Sequence, residues 1–420
     1  MSIPAIPIAW TVKDVLAALE TVESVDPGLS GADAVRLWDV KLVPLAAGKL
    51  ELPYVTPYYG AKPSILTGKH ATLSGKIAVA GSGTAGQAPA WDAFMQASGT
   101  VRSQVAATAS ATIASAASGV ATPHGSFTYA RTTAFGGTAS RTVTLTCTTG
   151  GASGSAKFTV SAPADGEVPA YSATAVTMTD ASPFALPNGA VITPTVGTSF
   201  QVGDAYTIAL SPARTEYRPI TDRVQHKSLA VYFDIGTERH KLLGSRLTMK
   251  LSGQVSAYPY WDFNLTGHYA PPETIAPITP DFSDWPDPVE ISGPNTPRMS
   301  LHGHDLVIES FGMDIGNKVS FIERVGRAGA RIQDRKSTFS LTAEAPLLTD
   351  ADFFALAEAR AVGALTFQHG VTSGGIVRID AAKAQLDAPD QKEASNDYML
   401  DLSGSLLPTS GDDEWTVSVR

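Results

Sequence analysis

Two stretches of this chain carry the same order of strand-like and helix-like segments, with a proline-rich stretch (271–297) between them. "AVRLWDVKLVPL" (34–45) is answered by "HDLVIESFGMDI" (304–315), and "KHATLSGKIAVA" (69–80) by "KSTFSLTAEA" (336–345). "APAWDAFMQASG" (88–99) pairs with "TDADFFALAEARAVG" (349–363), and "SLAVYFDIG" (228–236) with "GALTFQHG" (363–370). "RHKLLGSRLTMKL" (239–251) matches "GIVRIDAAKAQLD" (375–387), and "PYWDFNLTGHYAP" (259–271) matches "NDYMLDLSGSLLP" (396–408). A pattern that starts over in this way points to one folding unit used twice in tandem.

Alternating apolar residues in these segments are strand-like. Charged residues make up only 17% of the chain, against roughly 25% in ordinary globular domains, while Gly (37) and Pro (28) are abundant. That balance favours short strands and turns over long amphipathic helices. Within 121–212 the only charged residues are Arg131, Arg141, Lys157, Asp165, Glu167, Asp180 and Asp204. There "RTVTLTCTTG", "SAKFTVSA", "SATAVTMT" and "DAYTIALS" read as strands, which makes 101–213 a separate all-β module of sandwich type inserted after the helix of the first copy. Near the N-terminus, Val12, Val15, Leu16, Leu19 and Val22 fit one helical face, and Thr11 with Asp14 resembles a capping box, predicting a helix over 11–24. The expected domains are an N-terminal arm and helix (1–33), a first unit (34–100 plus 214–273), the insertion (101–213), a proline-rich linker (274–303) and a second unit (304–420).

The formal net charge is −9, which argues against nucleic-acid binding held by a basic face but leaves room for passive contact with DNA. Cys147 is the only cysteine, so neither an intramolecular disulfide nor a Cys-based zinc cluster can form. "GSGTAG" (81–86) fits the spacing of a dinucleotide loop, but the second copy has "EAPLLTDAD" at the same turn. No acidic residue stands ~20 positions further on, where a ribose would need one. The glycines are therefore read as structural, and no cofactor is expected. "LHGHD" (301–305) puts His302 and His304 on one strand face near Asp305, yet no third metal ligand can be placed by spacing. No G-x-S-x-G occurs, and no enzymatic activity is expected. The first residues, "MSIPAIPIAW", lack a basic n-region and are broken by Pro4 and Pro7, unlike a secretory signal. No apolar run reaches the ~20 residues of a membrane span, so assembly in the cytoplasm is the expectation.

"GADAVRLWDVKLVPL", "ATLSGKIAVAGSGTAGQAPAWDAFMQASG", "YRPITDRVQHKSLAVYFDIGTERHKLLGSRLTMKLSG" and "WDFNLTGHYAPPE" resemble the tail tube proteins of long-tailed bacteriophages and related prophage or gene-transfer particles. The first copy carries most of the resemblance. The insertion, with "TTGGASGSAKFTVSA" and "FQVGDAYTIAL", resembles Ig-like modules that decorate phage tail proteins. The resemblance implies a β-sandwich or half-barrel with a flanking helix, closing into rings around a lumen, in a virion tail that conducts DNA during ejection. The family's rings are sixfold, so two units per chain imply a homotrimeric, pseudo-hexameric ring. Its implied partners are further copies of itself, a tape measure protein in the lumen, tail terminator and distal tail proteins at the ends, and DNA in transit. The expected contacts between stacked rings are the proline-studded loop 51–64 with Tyr54, Tyr58 and Tyr59, its counterpart 326–336 with Arg327, Arg331 and Arg335, and the arm 1–30. The insertion is expected to project outward, where weak contacts with cell-surface glycans suit its surface. The rival reading, an extracellular adhesin or carbohydrate-binding β protein, explains the insertion but not the duplicated body.

Overall fold

The computed structural model describes residues 12–107, 110–112, 114–115, 126–130, 140–163, 170–185, 191–195 and 199–420. The structure is mainly β: of the described residues 54% are in strands and 4% in helices. Its first part comprises β1 (Lys13–Leu19), the long hairpin β2 (Leu37–Glu51) and β3 (Ser64–Ala78), helix α1 (Asp92–Ala97) and β4 (Thr100–Val105). The insertion follows, with β5 (Arg141–Thr149), β6 (Lys157–Ala162), β7 (Tyr171–Thr177) and β8 (Ala205–Leu210). The body resumes at β9 (Arg214–Pro219), β10 (Leu229–Ile235), β11 (Glu238–Gln254) and β12 (Tyr260–Tyr269). Beyond the prolines come β13 (Arg298–Leu301), β14 (Ile308–Asp314), the hairpin β15 (Asn317–Arg324) and β16 (Arg327–Arg335), then β17 (Thr338–Glu344). Helix α2 (Phe353–Glu358), β18 (Val362–His369), β19 (Val377–Leu386), β20 (Asp390–Ala394), β21 (Asp397–Leu406) and β22 (Thr416–Val419) complete it.

Hydrogen-bonded neighbours in the first part run β2-β3-β12-β11-β10-β1, antiparallel throughout. In the second part they run β14-β17-β21-β19-β18-β13, again antiparallel. The two sets have the same spatial order, and in each the helix falls between the second and fifth strands of that order. They join edge to edge, because the end of β11 pairs with β14 from Lys250↔Asp314 to Gln254↔Ser310. A second tie runs through β9, which ladders with β4 on one side and with β22 on the other.

One hydrophobic core serves both sets. Leu73, Trp261, Phe263 and Leu247 from the first lie in the same cluster as Phe311, Leu341, Phe367 and Trp415 from the second. Alternation on β12 explains how: Trp261, Phe263 and Leu265 point inward and are fully buried, while the residues between them face outward. Helix α1 closes this core with Phe94 and Met95, and Asp92 at its start accepts bonds from the Tyr217 hydroxyl (2.7 Å) and Arg102 (2.8 Å).

The glycines of "GSGTAG" meet a second glycine turn. The Gly83 amide donates to the Gly374 carbonyl at 3.0 Å. A Cβ on Gly81 would strike that same carbonyl, and one on Gly374 would strike the Gly83 backbone. Close approach of two backbones, rather than a cradle, accounts for both.

The N-terminal helix expected over 11–24 is replaced by a strand. Residue 11 lies outside the described residues; Lys13–Leu19 is β1, paired with β10 from Lys13↔Ile235 to Leu19↔Leu229. Val15 and Ala17 enter the main core, whereas Leu16 points the other way into a small cluster with Leu29 and Tyr232. A strand buried on both faces gives a continuous apolar run, which sequence periodicity cannot separate from a short helix. The loop expected over 326–336 is also a strand, β16, whose turn with β15 is only Val325 and Gly326. The stretch 349–363 holds a helix only over Phe353–Glu358, capped by Asp352, whose side chain accepts from the Ala355 amide at 2.9 Å. The expected linker contains β13, the positional counterpart of β1.

The insertion has its own core, formed by Val143, Leu145, Phe158, Val160, Phe200 and Tyr206 among others. Its strands run β7-β6-β5-β8. Cys147 is buried there, and burial pushes its thiol pKa up. The sequence boundary at 101 cuts through β4, which belongs to the main sheet; Val105 lies opposite Arg214, so the insertion enters and leaves through one two-stranded ribbon. Among the described residues no helix is long and apolar enough to cross a membrane.

Candidate assembly surfaces

Hairpin β2–β3 reaches beyond the core as an arm. From Leu45 to Leu66 most side chains are exposed, including Leu50, Tyr54, Tyr58 and Ile65, and Val55 (99%) and Tyr59 (106%) touch almost nothing. The Leu52 amide donates to the Pro63 carbonyl at 2.9 Å, the last backbone bond before the prolines break the ladder. A contiguous apolar arm of this kind on an ordinary monomer would be an aggregation liability, and such patches mark interaction surfaces.

The second set's equivalent arm is hairpin β15–β16, and it is occupied. It packs across β11, β12 and β3 of the first set. Phe321 stacks on His70 (ring centroids 5.2 Å apart, planes 15° apart) and meets the edge of His268 (5.2 Å). The Asn317 amide donates to the Ser98 carbonyl at 2.5 Å. Arg335 reaches Glu414 (2.9 Å), Asp412 (3.1 Å) and the Ile220 carbonyl (3.3 Å), so its guanidinium is engaged within the chain. Arg327 is largely exposed and Arg331 lines a pocket with Glu23, Arg223 and Arg246. The three tyrosines and three arginines expected as inter-ring contacts therefore occupy two different sites. The tyrosines sit at the tip of a free arm; the arginines lie on or beside a docked one. Of the N-terminal arm, residues 1–11 lie outside the described residues, and β1 is part of the sheet.

Several strand edges stand open, that of β4 beyond its ladder with β9 among them, and two bear on assembly. Among the described residues β2 pairs only with β3, and β20 pairs only with β21. Strand β20 continues β19 after an interruption at Pro389, and together they occupy the position that β11 fills in the first set. Taking Leu265 and Leu402 as equivalent, Lys250 corresponds to Lys392, since each lies three residues further round the hairpin, opposite Asp262 and Met399. Strand β14 corresponds to the stretch of β2 that starts at Lys41, opposite Ser74. The joined edges of β11 and β14 thus have counterparts in the open edges of β20 and β2. Sequence inspection had no means of finding these edges, because only strand pairing reveals which side of a strand is bare.

The suggested His302–His304–Asp305 ligand set is not assembled. The Nε2 of His302 meets the Ala384 carbonyl at 2.9 Å, and burial holds its pKa down. His304 lies edge-on to Phe353. Among the described residues no three His, Cys, Asp or Glu side chains cluster for a metal.

No protein-family model matches this chain, and no curated protein matches it significantly.

Proposed function

We propose that this chain is the tail tube protein of a phage-like particle, built from a tandem repeat of one β unit, and that three copies close into a pseudo-hexameric ring whose stacking makes a conduit for DNA. The observation that carries the reading is the repeated six-strand order together with the edge joint between the repeats. A joint made once within the chain, with both of its counterparts open, can be made again between chains: β20 of one copy against β2 of the next. Such a head-to-tail contact gives a closed ring when its rotation closes and a filament when it does not.

By the equivalence above, Lys392 would stand opposite Ala46 and Ala394 opposite Val43 of the neighbour. The arm of β2–β3 would then lie across the neighbour's second set, as β15–β16 lies across the first. This moves the exposed tyrosines from contacts between stacked rings to contacts within a ring. Ladder pairing of two bare edges also removes the hazard that each presents alone. The insertion, tethered by a single ribbon, suits a peripheral decoration. Negative-stain microscopy of the purified chain tests the proposal: rings or tubes with three chains per ring are expected, and six whole chains per ring, or a dispersed monomer at all concentrations, would overturn it.

A further inference from the structure

Beside the docked hairpin, four arginines converge on a cavity of about 290 Å³. Arg327 and Arg331 are four residues apart on β16 and share a face; Arg246 comes from β11, and Arg223 from the loop before β10. Arg246 is the anchor. It is 7% exposed, and its Nη1 is buried with no hydrogen-bond partner. Its Nη2 has the His226 carbonyl at 3.3 Å and Glu23 at a loose 3.7 Å. Arg327 approaches Glu23 no closer than 3.9 Å, and the guanidinium groups of Arg223 and Arg331 make no hydrogen bond or ion pair among the described residues.

The acids nearby do not fill the cavity. Glu20 is saturated by the Ser24 amide (2.8 Å), the Ser228 hydroxyl (2.6 Å) and the Gly244 amide (2.7 Å). Asp222 is turned onto the Val224 amide (3.0 Å) and Gln225 (3.1 Å). Glu23 is the only carboxylate among the residues that line the cavity, so the four guanidinium groups keep a positive surplus there, and Arg246 Nη1 is a buried donor without a hydrogen-bond partner. A buried charge without a partner is costly, and planar guanidinium forks bind tetrahedral oxyanions through paired hydrogen bonds.

We propose that this pocket binds a phosphate group, whose oxygens can take paired guanidinium bonds and whose charge meets the surplus better than the single charge of a carboxylate. Its ligands come from the loop before β10, from β11 and from β16. The anion therefore fastens the second unit's hairpin onto the first unit. The site does not depend on the tube reading.

The test is thermal melting and calorimetry of the full chain in chloride buffer, titrated with inorganic phosphate, with glycerol phosphate, and with acetate at matched ionic strength. Saturable stabilisation by phosphate is expected, weakened by about tenfold or more in apparent affinity for Arg331→Gln and Arg223→Gln, because each removes a charge-assisted bond. Both side chains are at least partly exposed, so these variants are expected to fold; the melting point in chloride checks that they do. Phosphate binding without glycerol phosphate binding assigns the free ion, and tighter binding of glycerol phosphate assigns a monoester; either supports the site. No saturable effect of phosphate, an equal effect of acetate, or an effect unchanged in both variants overturns it.

Discussion

Lys250 and Asp314 face each other across the ladder that fuses the two strand sets into one sheet. The pair is opposite in sign and sits where the first set ends and the second begins. Its counterpart on the free edge, Lys392, instead turns its ammonium back to Glu309 at 3.1 Å. Salt bridges as exposed as this one add little to stability, so releasing Lys392 to a neighbour costs little.

The proposed ring joint can be trapped covalently. With Ala46→Cys and Lys392→Cys in one chain, oxidation is expected to give a closed species of three chains on non-reducing gels. Directly opposed strand residues lie within disulfide reach, and the native Cys147 is buried and will not compete. Either single variant should stay monomeric on the gel. Ladders of all sizes from the double variant, or disulfide dimers from a single variant, would break the assigned pairing.

Replacing Tyr54, Tyr58 and Tyr59 together by Ser is expected to abolish assembly while leaving the monomer's melting behaviour within about 0.5 kcal/mol, as for ordinary surface substitutions. All three rings are exposed on the arm. Sedimentation and chemical unfolding, run side by side, read the two effects separately.

Removing residues 106–213 and linking Val105 to Arg214 by a short turn should leave rings intact, because β4 and β9 remain paired and the insertion's core is its own. A cut at 101 should do worse, since it deletes β4 from the main sheet. Electron microscopy of both deletions distinguishes the cases.

Trp261 is fully buried against Trp91, with ring centroids 6.0 Å apart, in the core that both units share. Trp261→Ala is expected to cost about 3–5 kcal/mol by cavity formation. Unfolding should remain a single transition followed by probes in either unit, because the core is common; two separated transitions would contradict that.

Asp26 ties the turn after β1 to the sheet. Burial alone would raise its pKa, but hydrogen bonds from Tyr232, Lys241 and the Gly28 amide outweigh this and hold it at about 2, below its ordinary 3.8. A carboxyl depressed on folding contributes stability above its unfolded pKa and loses it as pH falls through the folded one. Wild type should therefore exceed Asp26→Asn in urea midpoint at neutral pH. The gap should close between pH 3.8 and about 2.

Much of the sheet was legible because strands such as β12 and β21 are buried on one face and alternate cleanly. β1 was not, since Val15 and Leu16 are buried on opposite sides and erase the alternation. β13, at four residues, was too short to stand out among prolines. The arm was visible in its prolines and tyrosines. The arginine pocket was not: residues 223, 246, 327 and 331 meet only when a hairpin crosses a sheet formed some eighty residues earlier in the chain.

Because the β11–β14 joint is covalently backed by the polypeptide, it forms at any dilution, whereas the proposed twin between chains would have to await collision. Any circle closed through that twin is also counted in pairs of units, never singly. In the proposed ring, pentagonal and heptagonal miscounts would thereby be removed by connectivity alone, whatever the curvature of the contact.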